Sequence, residues 1–260
     1  MIAEERRQKL LDALKRAGAL SVSSASDLLR VSRMTVHRDM DTLSAAGLLR
    51  KVHGGAVPIV KKNLIKETAR PFTERKPANW TAKEHIARHL SRLLEGARTL
   101  ALDASSTVFS LANVLKPGPE NSPMFVLTNG VPLFQELQRR NVGFRMAITG
   151  GEMHSRTGSL IGPLAVRSLE GLRFDFAVVS AVGFMEDDGQ VYDSTPEGAA
   201  IKQAFLARAN KTVLALDKSK FNFLAPYSLG TLKDFDLLVT EDGVFEAARF
   251  LKNGRKARGA

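Results

Sequence analysis

Apolar positions at the start of the chain recur with the period of a helix. Leu10, Leu11 and Leu14 share one face of a segment from Arg6 to Ala17, which Gly18 stops. A second, short helix is expected from Ser23 to Leu29, with Ser21 as its cap. Ser32 then caps a third, from Arg33 to Ala45, ended by Gly47. Two short helices joined by a tight turn make a helix-turn-helix. In the third helix Val36, Met40 and Leu43 follow i, i+4, i+7 and face inward. At about 100° per residue, the opposite side carries Met34, Arg38 and Asp41, flanked by Thr35, His37 and Thr42. Leu48 to Val57 reads as a two-stranded wing whose turn presents Arg50, Lys51 and His53. Donors near the start of an outward helix suit major-groove reading. A three-helix packing module with a solvated outer face fits the same pattern.

Beyond residue 82 the pattern changes to short apolar runs alternating with helical stretches. Strands are expected at Thr99–Leu102, Phe125–Leu127, Phe144–Ile148, Ala177–Ser180, Thr212–Leu216 and Leu237–Val239. Helices fill Thr81–Glu95, Thr107–Leu115, Pro132–Arg140, Leu164–Leu169, Pro196–Ala209 and Val244–Phe250. This alternation predicts an α/β body, a mostly parallel sheet with helices on both faces. The expected organisation is a head at 1–57, a linker at 58–82 marked by Pro58, Pro71 and Pro77, a body at 83–253 and a basic tail at 254–260. On the helix from Thr81, the cations Lys83, Arg88 and Arg92 are expected to be solvated.

Ligands of such sheets sit at the carboxyl ends of the strands. Those ends are small and polar here: Asp103-Ala104-Ser105-Ser106-Thr107, Thr128-Asn129-Gly130, Thr149-Gly150-Gly151, Ser180-Ala181-Val182-Gly183 and Asp217-Lys218-Ser219-Lys220. The hydroxyls and N–H groups of the first suit either a phosphate or ordinary N-capping. Each end alone is turn chemistry, but five together read as a polar crevice. Glu197 at a helix start is explained by the helix dipole, and Lys202 and Lys220 fit either a phosphate site or a surface.

Charge sharpens the division. The formal net charge is +11, distributed as +6 over residues 1–62, +4 over 63–98, −3 over 99–251 and +4 over 252–260. A basic head on a mildly acidic body points to an anionic partner, nucleic acid before membrane surface, or to nothing more than a solvated face. The absence of cysteine excludes disulfides and thiolate ligands. Among five histidines, His85 and His89 are four apart without the intervening Glu of a metalloprotease, so neither metal nor cofactor is expected. No apolar run approaches the ~18–20 residues that span a bilayer, and Met1-Ile2-Ala3-Glu4-Glu5-Arg6 has no signal-peptide core. No membrane partner and a cytoplasmic location are expected.

The segment V-S-R-M-T-V-H-R-D-M-D-T-L-S-A-A-G-L-L-R-K-V-H-G-G-A, Val31 to Ala56, resembles the winged helix-turn-helix of the DeoR family of bacterial sugar-metabolism regulators. The resemblance continues through P-F-T-E-R at Pro71 and K-E-H-I-A at Lys83. Further on, D-A-S-S-T, L-T-N-G, T-G-G, F-D-F-A-V-V-S-A-V-G-F, G-Q-V-Y-D-S-T-P-E-G-A-A-I-K and D-K-S-K-F are similar to that family's sensor domain. The resemblance implies a body related to ribose-5-phosphate isomerase that binds phosphorylated sugars or related metabolites, and a double-stranded DNA operator as partner. It implies DNA contacts by Ser32, Arg33, Met34, Thr35, His37, Arg38, Arg50, Lys51, His53 and Gly54. It implies effector contacts by Asp103, Ser105, Ser106, Thr107, Thr128, Asn129, Gly183, Glu197, Lys202 and Lys220.

Three positions depart from the family pattern. His37 stands where Arg is usual, which weakens a phosphate contact at neutral pH. Arg30 occupies a turn position where Gly or Asn is common. Ser105 replaces a loop Gly, whose missing Cβ eases backbone approach to a phosphate. The function expected is a transcriptional regulator, a repressor released by its effector, acting as a homo-oligomer because one small head buries too little surface for a specific site. The alternative is a sugar-phosphate isomerase with an accessory head, with Asp103, Glu197 and Lys202 as candidate acid–base groups.

Overall fold

Three helices build the head: α1 (Ala3–Ala17), α2 (Val22–Leu29) and α3 (Arg33–Ala45). Three of the caps are those the sequence predicts, while Gly47, expected to end α3, lies outside the described residues. Ser21 Oγ accepts from Ser24 N, Ser32 Oγ accepts from Thr35 N, and Gly18 ends α1 at φ 70°. Arg30 also takes the left-handed conformation, at φ 53°, and its N–H bonds to Ser26 O. A side chain costs about 1 kcal/mol there, which is the physical sense of Gly or Asn at that turn. Leu10, Leu14, Ala25, Leu29, Val36, Met40 and Leu43 make the head's core, so α3 buries the predicted face. Asp39 is buried as well, a position the apolar spacing did not mark. It accepts from Arg6 Nε at 2.5 Å and Arg7 Nε at 3.3 Å, tying α3 to α1.

The wing has three strands rather than two. β1 (Leu20–Ser21) lies antiparallel to β3 (Gly55–Pro58), which pairs in turn with β2 (Leu49–Val52). The two glycines of the turn have different reasons. Gly54 sits at φ 78°, whereas a Cβ on Gly55 would stand 2.4 Å from Leu20 O, closer than any packing allows.

The computed structural model describes residues 2–46, 48–58, 63–64, 69–117, 123–140 and 143–250. The chain divides into two units, the first ending at Lys61 and the second running from Lys62 to Lys252. The basic tail lies outside the described residues.

The second unit begins with the short β4 (Asn63–Leu64) and the helices α4 (Phe72–Arg75) and α5 (Trp80–Leu93). Residues 69–82 are therefore not the linker that their prolines suggested. Pro71 caps α4, and Phe72 packs edge-on against Phe109 at 5.2 Å. There follow β5 (Thr99–Leu102), α6 (Ser106–Phe109), β6 (Phe125–Thr128), α7 (Val131–Arg140), β7 (Arg145–Ile148), a hairpin of β8 (Glu152–His154) and β9 (Ser159–Ile161), α8 (Pro163–Arg167) and β10 (Phe174–Val179). The chain ends with β11 (Gly183–Phe184), β12 (Gln190–Asp193), α9 (Pro196–Leu206), β13 (Ala209–Ala215), β14 (Phe223–Leu224), β15 (Tyr227–Thr231), β16 (Leu237–Thr240) and β17 (Gly243–Glu246).

The main sheet has the order β17-β16-β13-β10-β5-β6-β7 and is parallel except for β17. Its strands alternate between two cores. Leu100, Leu102, Val178, Val213 and Ala215 pack with Ile86 and Leu90 of α5. Ala101, Ala177, Val179, Leu214 and Leu216 pack with Ile201 and Phe205 of α9. Burial on both faces is why these strands read as unbroken apolar runs. The order reverses between β5 and β10, so a crevice opens at their carboxyl ends. β11, β12 and β15 form a small antiparallel sheet, and β4 lies parallel to β14. One expectation fails at the end of the body. Val244–Phe250 is not a helix, because Gly243–Glu246 pairs antiparallel with β16 and the chain turns helical only from Ala247.

Replacing Gly55 by Ala should destabilise the head by about 1–3 kcal/mol, since backbone must move to admit the methyl group. Gly54→Ala should cost about 1 kcal/mol. Thermal denaturation followed by circular dichroism checks both. An unchanged melting temperature for Gly55→Ala contradicts the strand packing.

Candidate functional site

On the head, α3 and the wing present one set of exposed polar groups. Ser32, Arg33, His37 and Arg38 are exposed on α3, and Met34 keeps 65% of its surface. Thr35 is half-buried, with its amide bonded to Ser32 Oγ at 3.2 Å. Arg50, Lys51, His53 and Gly54 are exposed on the wing. Lys51 Nζ lies 2.5 Å from Asp41 Oδ1, so the wing is latched to the outer face of α3. An exposed pair of this kind is worth about 0–1 kcal/mol, and a phosphate can compete for the ammonium.

In the body the switch point between β5 and β10 opens into a cavity of about 270 Å³. Its floor is a buried ion triad. Lys202 of α9 places Nζ 2.5 Å from Asp193 Oδ2, 3.3 Å from Asp103 Oδ2 and 2.8 Å from Ser180 O. Asp103 is fully buried and accepts from the amides of Ser105 and Ser180, each at 3.1 Å. Burial by itself would raise the Asp193 pKa. Lys202 and the amides of Ser194 and Thr195 more than reverse that, and the carboxyl lies below its ordinary range. Burial likewise opposes the Lys202 charge, and the two aspartates outweigh it, so its pKa is raised.

A second group of cations is less well neutralised. Lys220 Nζ donates to Thr107 Oγ1 at 3.0 Å and Ser180 Oγ at 2.9 Å, and lies 3.7 Å from Asp217. Burial lowers its pKa despite Asp217, with Lys202 and Arg75 adding repulsion. Arg75 is pushed below its usual value by burial too. Lys83 is buried, contrary to the solvated face expected of it, while Arg88 and Arg92 are indeed exposed. Its Nζ donates to Arg75 O, and burial with repulsion from Lys220, Arg75 and Arg70 brings its pKa down to about 8. Asp217 accepts from Asn79 Nδ2 at 3.1 Å and from Ser219 Oγ. Burial raises Asp217, and Lys220, Ser219, Lys83 and Asn79 together hold it below the usual carboxylate range.

The structure gathers Ser105, Ser106, Asn129, Lys202 and Lys220 around the cavity, with Asp103 and Thr107 directly behind them. Ser105 adopts an extended φ of −77° and caps α6 through Val108 N, so the position does not need glycine. Three expected residues stand elsewhere. Glu197 is exposed in the first turn of α9, outside the cavity lining. Thr128 is buried, its hydroxyl accepting from Gly130 N at 3.0 Å. Gly183 serves packing, since a Cβ there would meet Phe223 O at 2.2 Å. Sequence reasoning missed Arg70, Arg75, Asn79, Lys83, Asp193 and Asp217 on the cavity wall. Asp217 lay in a strand end read as part of the crevice but was not singled out as a ligand residue, and the motif P-F-T-E-R carried Arg75 with nothing in its local pattern to mark it as facing a crevice.

A winged helix-turn-helix with a donor-bearing outer face, in one chain with a doubly wound body and a cation-rich cavity, is the build of a metabolite-linked DNA-binding regulator. Residues 6–62 match the DeoR-like helix-turn-helix domain, and residues 78–242 match the DeoR C terminal sensor domain. The chain belongs to the DeoR family of DNA-binding transcriptional regulators. It is 31% identical to the HTH-type transcriptional regulator GolR of Listeria innocua, over 95% of this chain and 94% of that one. It is 30% identical to the L-fucose operon activator of Escherichia coli, over 91% and 94% of the two chains. It is 31% identical to the lactose phosphotransferase system repressor of Lactococcus lactis, over 94% and 93%. Among solved structures, ribose 5-phosphate isomerase A of Methanocaldococcus jannaschii aligns with a TM-score of 0.40 at 14% identity, over 55% of each chain.

The low pKa of Lys83 is a stability cost. Below pH 8 both folded and unfolded chains carry its proton, and the folded state bears the full penalty. Between about 8 and 10.5 only the unfolded chain is protonated at this site, so stability rises with pH. Relative to Lys83→Met, the unmodified protein should therefore gain about 3 kcal/mol from pH 7 to pH 10.5. Urea denaturation of both proteins across that range measures it. A pH-independent difference contradicts the assignment.

Proposed function

We propose that the chain controls a sugar-metabolism operon in the cytoplasm as a repressor, and that a phosphorylated sugar or related phosphoester in the cavity sets its hold on the operator. One observation carries the effector reading. Arg70, Arg75, Lys83, Lys202 and Lys220 face Asp193, Asp217 and the underlying Asp103, and with Glu74 paired to Arg70 at 3.6 Å this still leaves a net positive charge among the described residues. A phosphate dianion is the complement of that excess. Lys220 and Arg75 would meet it, with Ser105 and Ser106 offering hydroxyls. Asn129 Oδ1 is buried without a hydrogen-bond partner among the described residues, which suits a sugar hydroxyl as donor.

On the head, Ser32, Arg33, Arg50, Lys51, His53 and Gly54 would contact backbone phosphates, Met34, Thr35 and Arg38 would face base edges, and His37 would reach either a base edge or a phosphate beside them. A palindromic operator would require a symmetric homo-oligomer. The effector acts by binding the DNA-competent and DNA-incompetent states with different affinity. An isomerase reading has less support, because Asp103 is buried against Lys202 and Glu197 lies outside the cavity, so neither is presented as a base.

A panel of phosphosugars should raise the melting temperature, by about 2.7 kcal/mol of stability at a hundred times Kd, while their unphosphorylated parents should not. On operator DNA, fluorescence anisotropy should give a log affinity that falls linearly with log salt, and His37→Arg should bind more tightly at neutral pH. A flat salt dependence, or equal shifts with and without the phosphate, would count against the proposal.

A further inference from the structure

The three lysines of the cavity differ in their partners. Lys202 is held by Asp103 and Asp193, and Lys220 lies 3.7 Å from Asp217. Lys83 makes no ion pair among the described residues, and its Nζ donates to a neutral acceptor, Arg75 O. It sits in the first turns of α5, where the positive end of the helix dipole also disfavours an ammonium. The charged groups that act on it are Lys220, Arg75 and Arg70, each repelling, and Asp217, attracting. Lys83 lines the cavity and is buried there, so a ligand in the cavity lies beside it.

We propose that Lys83 captures the carbonyl carbon of an open-chain phosphorylated aldehyde or ketone in this cavity as a reversible imine. A lysine desolvated beside other cations is the activated form of this nucleophile. With its pKa at about 8, roughly a quarter of Lys83 is neutral at pH 7.5, against about one in a thousand for an ordinary lysine. The neutral amine adds to the carbonyl carbon to give a carbinolamine. The C–O bond then breaks, a C=N bond forms, and the oxygen leaves as water with the two amine hydrogens. No redox partner is needed, and hydrolysis reverses the step. The proposal rests on the phosphate reading above, in which Arg75 and Lys220 hold the phosphate and so deliver the carbonyl to Lys83. A phosphosugar that can open to a carbonyl is thereby distinguished from a closed glycoside of the same size.

The full-length protein is incubated with glyceraldehyde 3-phosphate or with glyceraldehyde, trapped with cyanoborohydride, and mapped by peptide mass spectrometry. With the phosphorylated probe, adduct at Lys83 should exceed that at the exposed Lys9 and Lys116 by about tenfold or more. Inorganic phosphate should compete, and Lys83→Arg, which keeps a cation and a donor for Arg75 O, should abolish that adduct while retaining the thermal shift with phosphate. Modification of Lys83 no faster than the exposed lysines overturns the proposal, even if phosphate stabilises the protein. Preferential modification by both probes alike, without competition by phosphate, upholds the imine and overturns the phosphate reading instead.

Discussion

The body's site depends on one ammonium group. Lys202 Nζ joins the residue after β5, the carbonyl after β10 and the end of β12, three points that the parallel sheet and the small antiparallel sheet bring to a common place. Each buried carboxylate is tolerable only with that partner. Removing one member of such a group strands the others and costs about 3–5 kcal/mol. The triad therefore fixes the geometry of the crevice and leaves Lys202 no charge to spare for a ligand. An anion entering the cavity has to be held by the other cations, which are under-neutralised because burial and mutual repulsion dominate around them.

That division explains the character of the cavity. Groups with satisfied charge, Lys202, Asp103 and Asp193, shape it. Lys220 and Arg75, whose pKa values burial depresses, are poised for a negative ligand, because its arrival relieves their repulsion. The wall that carries Arg75 and Asn79 comes from residues 69–79, which in sequence lie on the side of the body nearest the head.

The head was legible from sequence because its signals are local. Ser21, Ser32 and Gly18 are caps, and Val36, Met40 and Leu43 hold a strict period. β1 was not visible, since two residues show no alternation, and Asp39 was not, since its burial depends on Arg6 and Arg7 far away in sequence. In the body, strands buried on both faces announced themselves as apolar runs and their polar ends marked the crevice. Lys83 was misread because helical periodicity places it on a cationic face but says nothing of what covers that face. Glu197 and Gly183 fell within matching motifs, yet one is exposed and the other is required by the close backbone of β14. Val244–Phe250 has helix-like spacing, but pairing with β16 decides its first half.

The central claim is that the under-neutralised cations of the body, not the triad, hold an anion. The most direct measurement is the position of a heavy tetrahedral oxyanion, such as tungstate, located by anomalous scattering in crystals of the full chain. The account predicts a peak inside the cavity about 4 Å from a Lys220 or Arg75 donor, one metal–oxygen bond beyond hydrogen-bond distance. A cavity that stays empty while the oxyanion occupies only surface arginines would contradict it.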